Sequence, residues 1–182
     1  MLPVRIAYGP IVLRAFTPAD APRVAQLCGA REVAEMTSLI PHPYSEALAR
    51  EWIATHETEA PTEHTYAVLR RTDEILIGAF GLRPHPRTAD MLGYWIGMPY
   101  WGNGYATAAL ATGLALAFSC LDLELVQATH LARNTASGRV MEKCGLREVG
   151  RELRSHRGGP PESLCVRAIS RQDWEARIER GE

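Results

Sequence analysis

The chain is expected to fold as a single α/β unit of the α+β type: a mixed, mostly antiparallel central sheet flanked by helices. Three observations carry this expectation. Apolar runs of strand length cluster in the middle and toward the end of the chain, while helical spacing dominates early and again across 105–121. The elements follow the order β-α-α-β-β-β-α-β-α-β-β, with no internal repeat and no linker between them. At 182 residues, 46% hydrophobic and 23% charged, the chain is long enough for one well-buried core and too short for two ordinary domains. One domain over 1–182 is therefore expected, with its core in 9–170.

A first strand fits 11–16. Thr17-Pro18-Ala19-Asp20 then supplies a hydroxyl cap, a proline at the first helical position and a carboxylate in the first turn. The helix that follows turns Val24, Leu27 and Cys28 inward and ends near Gly29. Pro41 and Pro43 keep the next segment as loop, because proline blocks a helix and restricts the residue before it. Ser45 caps a second helix through Trp52 and Ile53. The apolar runs 66–70 and 75–82 flank Arg71-Thr72-Asp73-Glu74 and read as a hairpin. Pro84 and Pro86 mark a loop, and 91–97 is the next strand. Apolar residues from Ala106 to Leu121 recur at helical spacing. A strand over 123–129, a short helix over 135–144 and paired strands over 146–153 and 164–169 follow. Ser170 caps a tail helix over 171–180 that holds Trp174. Segment 91–129 is a right-handed strand–helix–strand crossover, so its two strands should be parallel.

Composition removes several function classes. A net charge of −1 gives no general attraction to nucleic acid or anionic lipid, so neither nucleic acid nor membrane is an expected partner. Cys28, Cys120, Cys144 and Cys165 are scattered without a C-x-x-C pair. That argues against a disulfide framework or a metal site, and for reduced thiols in a cytoplasmic protein. The opening MLPVRIAYGP lacks the basic and long apolar regions of a signal peptide. The apolar stretch 105–121 contains Gly, Ser and Thr and runs into Asp122 and Glu124, as a buried helix does and a membrane span does not.

The residues YWGNGYATAAL at 100–110 hold the most specific signal. Gly102 and Gly104 lie between a strand and a long helix, where the first backbone N–H groups have no internal partner and carry the positive end of the helix dipole. Glycines there let an anion approach closely. They serve equally as a tight strand-to-helix turn, and a short G-x-G alone does not separate the two readings. Two nucleotide loops fail. A dinucleotide fingerprint needs glycine where Thr107 stands, and a P-loop needs a Gly-Lys-Ser/Thr ending that is absent.

The segment GYWIGMPYWGNGYATAAL (93–110) resembles the acyl-CoA-binding segment of the GNAT N-acetyltransferase superfamily. ARNTASGRVMEKCGLREVG (132–150) resembles its N-x-x-S…E-K-x-G-F/L segment, and GPIVLRAFTPAD and IPHPY match as well. Four matches in order, across about 9–170, point to the branch containing ribosomal-protein N-terminal acetyltransferases. The resemblance implies a GNAT-like fold with the strands 91–97 and 124–129 splayed apart at the CoA site. It implies that the backbone from Gly102 through Asn103, Gly104, Tyr105 and Ala106 to Thr107 holds the CoA pyrophosphate, with the Thr107 hydroxyl in support. Ile96 and Met98 would meet the pantetheine amides through their backbone. Asn134 would bond the pantetheine, and Ser137 would sit near the thioester sulfur as proton donor or as a cofactor contact. Asn134 also stands where a helix cap belongs, and one amide has ends for both tasks. Cys144 reads as a small core residue, since no neighbouring histidine in sequence activates it.

The implied reaction is direct attack of an amine on the thioester of acetyl-CoA, with no metal and no covalent intermediate. The acceptor would be a protein N-terminus or a small-molecule amine, and dimers are common among such relatives. The chain departs from the family at the base. Met91, with Asp90 beside it, and Ala108 stand where relatives often carry glutamate, and Trp101 stands where a basic or amide residue is usual. Asp73, Glu74, His85, His42, Glu63 and His64 remain as candidates, and the base is unassigned. Two other readings are a non-catalytic acyl-CoA sensor of the same fold and a nucleotide-dependent enzyme using the glycine loop.

Overall fold

The computed structural model describes residues 5–58, 63–84, 91–155 and 158–181. The first half comprises β1 (Arg5–Tyr8), β2 (Ile11–Ala15), α1 (Ala21–Cys28), α2 (Arg31–Glu35), α3 (Glu46–Thr55), β3 (His64–Arg70) and β4 (Leu76–Leu82). The second comprises β5 (Leu92–Ile96), α4 (Tyr105–Ser119), β6 (Leu125–Leu131), α5 (Thr135–Lys143), β7 (Arg147–Ser155), β8 (Pro161–Ser170) and α6 (Arg171–Glu179). Every element expected from the sequence is present, with small shifts at the ends. Two were not expected, β1 and α2. Four and five residues long, they are too short to show a period, and β1 is mostly exposed along its length.

The strands form an antiparallel sheet in the order β1-β2-β3-β4-β5 and a second in the order β6-β8-β7. The expected parallel neighbours β5 and β6 flank the junction and form no ladder. The Met91 N–H donates to the Gln127 carbonyl at 3.2 Å, and beyond that point the two strands diverge around an open cleft. Antiparallel pairing with helices on both faces therefore holds, while the expected parallel pairing of β5 with β6 is not formed among the described residues.

Strand alternation sorts the core into two layers. Phe80, Leu82, Leu92 and Ile96 face α4 and α5 in the larger cluster, while Ala67 and Leu69 face α1 and α3 in the smaller. Helix α4 is apolar all round because it is buried between the sheet and its helical neighbours. It lies so close to β4 that a Cβ on Gly113 would come within 2.0 Å of Phe80 Cζ. Among the described residues no helix is long and apolar enough to cross a membrane. Helix α6 is tied back by Arg171, which donates to the Phe118 carbonyl at 2.8 Å and pairs with Asp122.

The start of α1 is a polar anchor. Asp20, 8% exposed, receives two bonds from the Arg14 guanidinium at 2.7 and 2.8 Å and one from the Thr17 N–H at 2.8 Å. Burial alone would raise the Asp20 pKa, and the Arg14 fork with the Thr17 donors overcomes it, so the net shift is downward. A carboxylate depressed on folding stabilises above its unfolded pKa, and that contribution is lost as pH falls through the folded value. Asp20→Asn is therefore expected to cost about 2 kcal/mol at pH 7, with the gap to the parent closing well below about pH 4. Urea denaturation across pH checks this, and a gap independent of pH would refute it.

Candidate active site

The fork between β5 and β6 opens into a cleft of about 1080 Å³. The loop after β5, the first turn of α4, the start of α5 and the segment around α2 surround it. Gly102 and Gly104 have φ of +79° and +77°, a region that only glycine enters freely, so the turn itself requires them. A Cβ on either residue would meet no heavy atom within 4 Å, so the backbone also faces open space. The first helical bond of α4 is Ala108 N–H to the Gly104 carbonyl at 3.0 Å, which leaves the N–H groups of Tyr105, Ala106 and Thr107 without intrahelical partners. Turn and cradle are thus the same structure, and it suits an anion.

Trp101 explains its own presence. It is 47% exposed, and its indole Nε1 donates to the Ile96 carbonyl at 2.5 Å, pinning the loop to the end of β5. Asn103 turns its side chain back, donating to the carbonyls of Tyr100 and Trp101 at 3.2 and 3.0 Å. Tyr105 packs against the core, as its ring chemistry favours, and also borders the cleft.

The ladder register decides which backbone groups of β5 are offered. Gly97 N–H bonds the Ile77 carbonyl and Arg83 N–H the Met91 carbonyl, so odd-numbered β5 residues pair with β4. Tyr94 and Ile96 therefore direct their N–H and carbonyl groups toward the fork. The Ile96 carbonyl is taken by Trp101, which leaves its N–H facing the cleft. Met98 lies in a 3-10 turn outside the cleft lining, with its carbonyl accepting the Trp101 N–H at 3.2 Å.

On the far side, Asn134 uses both ends of its amide within the protein. Oδ1 accepts the Ser137 N–H at 3.1 Å as the cap of α5, and Nδ2 reaches the Met36 carbonyl at 3.4 Å. Arg133 next to it donates to the Glu35 carbonyl at 3.0 Å and pairs with Glu162. The start of α5 and the end of α2 are thereby clamped together.

Sequence reasoning missed Tyr94. Its hydroxyl lies 2.9 Å from Ser137 Oγ and 3.3 Å from the Ser137 carbonyl. Burial drives its pKa far above the ordinary tyrosine value, with the Ser137 bond offsetting only part, so the phenol stays protonated. The aromatic letter gave no signal, because a tyrosine on a strand reads as packing. His130, also in the cleft wall, is excluded as a base. Arg167 Nε–H can only donate, so it occupies His130 Nε2 at 3.2 Å, and Nδ1 carries the proton toward the Leu131 carbonyl at 2.9 Å.

Of the base candidates read from sequence, His85 falls outside the described residues, as does Asp90 beside Met91. Asp73, Glu74, His42, Glu63 and His64 do not line the cleft, Asp73 being paired with Arg70 and Glu74 with Arg5. Ala108 is buried in the second turn of α4, and among the described residues the cleft carboxylates are Glu32 and Glu35 of α2. No cluster of ligands for a metal ion occurs among the described residues. Cys144 is no nucleophile. Burial pushes its thiol up to about 11 and that of Cys28 up to about 12. Of the four cysteines only Cys120 is exposed, so iodoacetamide at pH 8 is expected to alkylate Cys120 quickly and the other three only on unfolding. Mass spectrometry of the digest checks this, and rapid labelling of Cys144 would contradict the burial argument.

A cleft of this shape at a strand fork, closed by an open helix start, defines a class of protein, and comparison identifies the same one. The family model described as an acetyltransferase (GNAT) domain matches residues 11–147. The chain belongs to the GNAT acetyltransferase family. It is similar to YoaA of Bacillus subtilis, described as an uncharacterized N-acetyltransferase, at 32% identity over 88 residues. That match covers 47% of this chain and 49% of the relative, so the chain spans about half the length of the curated relative it matches. The fold is shared with a GNAT-family acetyltransferase from Bacillus anthracis, at TM-score 0.82 and 22% identity, covering 92% of this chain and 99% of that one. It is shared as well with Mycobacterium smegmatis RimJ in complex with CoA-disulfide, at TM-score 0.79 and 21% identity, covering 96% and 94%.

Proposed function

We propose that the protein transfers an acetyl group from acetyl-CoA directly to a primary amine, on a protein N-terminus or on a small molecule. The observation that carries this reading is the meeting, in one cleft, of an open helix N-terminus with a stretch of β5 whose backbone groups lack a strand partner. The backbone from Gly102 to Thr107 would hold the pyrophosphate, with the Thr107 hydroxyl beside it. The outward backbone of Tyr94 and the Ile96 N–H would take the pantetheine amides, with Asn134 opposite. These groups are fixed before the ligand arrives, which limits the ordering cost of binding.

The thioester supplies an acyl carbon already activated for attack. The neutral amine adds its lone pair to that carbon. The C–S bond then breaks, giving an amide and a thiolate, and the surplus proton of the nitrogen passes to water at Glu32 or Glu35. Tyr94, kept protonated by burial, shares a hydrogen bond with Ser137 Oγ and holds the serine hydroxyl in place, and that hydroxyl is the group that would meet the departing sulfur. Aligning amine and thioester in a walled cleft contributes the larger part of the rate, because it replaces a chance encounter by a fixed approach.

Calorimetry and thermal shift with CoA, ATP and NAD test the binding half of this reading. CoA alone is expected to bind and to stabilise the fold. Stabilisation by ATP or NAD in place of CoA would overturn it.

A further inference from the structure

Acetyl transfer needs a proton acceptor at a fixed place, and Glu32 and Glu35 both stand on α2, a helix of five residues. A helix that short does not hold itself in water, because the entropy lost in ordering it outweighs its few hydrogen bonds. Its place is set from outside. Val33 and Ala34 anchor one face, at 2% and 0% exposed. At the C-terminal end every carbonyl has a donor. Thr37 Oγ1 donates to those of Val33 and Ala34 at 3.2 and 3.1 Å. Arg133 and Asn134 donate to those of Glu35 and Met36 at 3.0 and 3.4 Å.

Arg133 is itself held rigidly. Its Nε and Nη2 fork onto the Glu162 carboxylate at 2.7 and 3.3 Å, which fixes the guanidinium plane. The same Nη2 reaches the Glu35 carbonyl, and Nη1 donates to Met36 Sδ at 3.6 Å. A cation there also meets the negative end of the helix dipole. Of the two cleft carboxylates, Glu35 is engaged by Arg31 at 2.6 Å along the helix. Glu32 is exposed at the cleft wall, where water reaches it.

We infer that Glu32 is the carboxylate that receives the acceptor's proton, and that Arg133 is the positioning residue that holds it over the cleft. The inference rests on the acetyl-transfer reading and chooses between its two carboxylates. As the amine nitrogen bonds to the acyl carbon, its surplus proton passes through water to Glu32. The thiolate leaves with the C–S electron pair, and the glutamic acid then returns its proton to solvent. Arg133 acts through Glu32, by fixing the end of α2 against the start of α5. When pantetheine draws Asn134 Nδ2 away from the Met36 carbonyl, Arg133 is the tie that remains between the two elements.

The test is a double-mutant cycle on kcat with Glu32→Gln, Arg133→Ala and the pair, read beside CoA affinity and amide hydrogen exchange. The Arg133 side chain is 43% exposed, so its truncation is expected to leave the protein folded; Arg133→Met repeats the test with the aliphatic stem kept. Glu32→Gln is expected to lower kcat about a hundredfold, Arg133→Ala about tenfold, and the pair no further than Glu32→Gln alone. CoA affinity is expected to stay at the parent value. Amides of residues 33–37 are expected to exchange faster in Arg133→Ala, with α1 and α3 unchanged. Losses that multiply in the pair would give Arg133 a role independent of Glu32 and overturn the inference. Parent-like kcat in Glu32→Gln would overturn it as well, and unchanged exchange at 33–37 would remove the clamp. Failure of the parent to release thiol with any acceptor would instead remove the acetyl-transfer reading beneath it.

Discussion

Gly104→Trp is expected to weaken CoA binding about a hundredfold or more while the protein remains folded. The backbone donors at the start of α4 form charge-assisted hydrogen bonds to a phosphate, each contributing roughly 1.5–3 kcal/mol. An indole over the approach removes at least two, or about 3–6 kcal/mol, which is a factor of about 10² or more in affinity. The structure adds a stability term. Gly104 sits at φ +77°, so any L side chain costs roughly 1–2 kcal/mol of strain there, although its Cβ would clash with nothing. In a chain of this size that lowers Tm by roughly 2–8 °C. Gly104→Asn separates the two effects, because asparagine tolerates this backbone region while still placing atoms over the cradle. Calorimetry and differential scanning calorimetry on both variants read affinity and stability independently. Parent-like affinity in Gly104→Trp would remove the pyrophosphate from this loop.

The second large effect is expected at the paired hydroxyls. Ser137→Ala should lower kcat about a hundredfold, the usual scale for losing one donor aimed at charge that develops in the transition state. KM for acetyl-CoA should change little. Tyr94→Phe should lower kcat by about tenfold, because the phenol acts through Ser137 rather than on the sulfur. The pH profile distinguishes this arrangement from a freely titrating acid. Burial raises the Tyr94 pKa above its ordinary value of about 10, so the phenol is neutral at every lower pH. The rate should then rise as the amine acceptor loses its proton and stay level to about pH 10. A falling limb between about pH 8 and 10 that disappears in Tyr94→Phe would show the phenol titrating in the ordinary range and would refute the relay. Equal losses in kcat and CoA affinity for Ser137→Ala would reduce that serine to a binding group.

What could be read from the sequence follows from how local each signal is. Helix α4 and its glycines are contiguous, so turn and helix were legible together. The caps at Ser45, Asn134 and Ser170 were legible for the same reason, and each side chain accepts the backbone N–H three residues on. Long-range features were not. Tyr94 and Ser137 are 43 residues apart, and nothing in either letter announces the other. The fork between β5 and β6 is an absence of pairing, which no local pattern encodes; it entered the expectation through resemblance alone. Trp101 looked like the loss of a basic group, and its hydrogen bond to Ile96 gives it a positioning role instead. The base candidates chosen by residue type fared least well, because acidity is a property of where a side chain ends up. Asp73 is held ionised by Arg70, with its pKa lowered chiefly by that bond, and does not line the cleft.

Passage of an acetyl group from CoA to an amine is the activity proposed for this cleft. Its most direct test is the acceptor-dependent release of free thiol from acetyl-CoA, run with N-terminal peptides, amino acids and polyamines, with the products identified by mass spectrometry. Thiol release matched by an equal amount of N-acetylated acceptor, lost in Gly104→Trp and slowed in Ser137→Ala, is the predicted result. CoA bound tightly by the parent protein, with no thiol released for any acceptor, would contradict the claim and make the cleft a binding module.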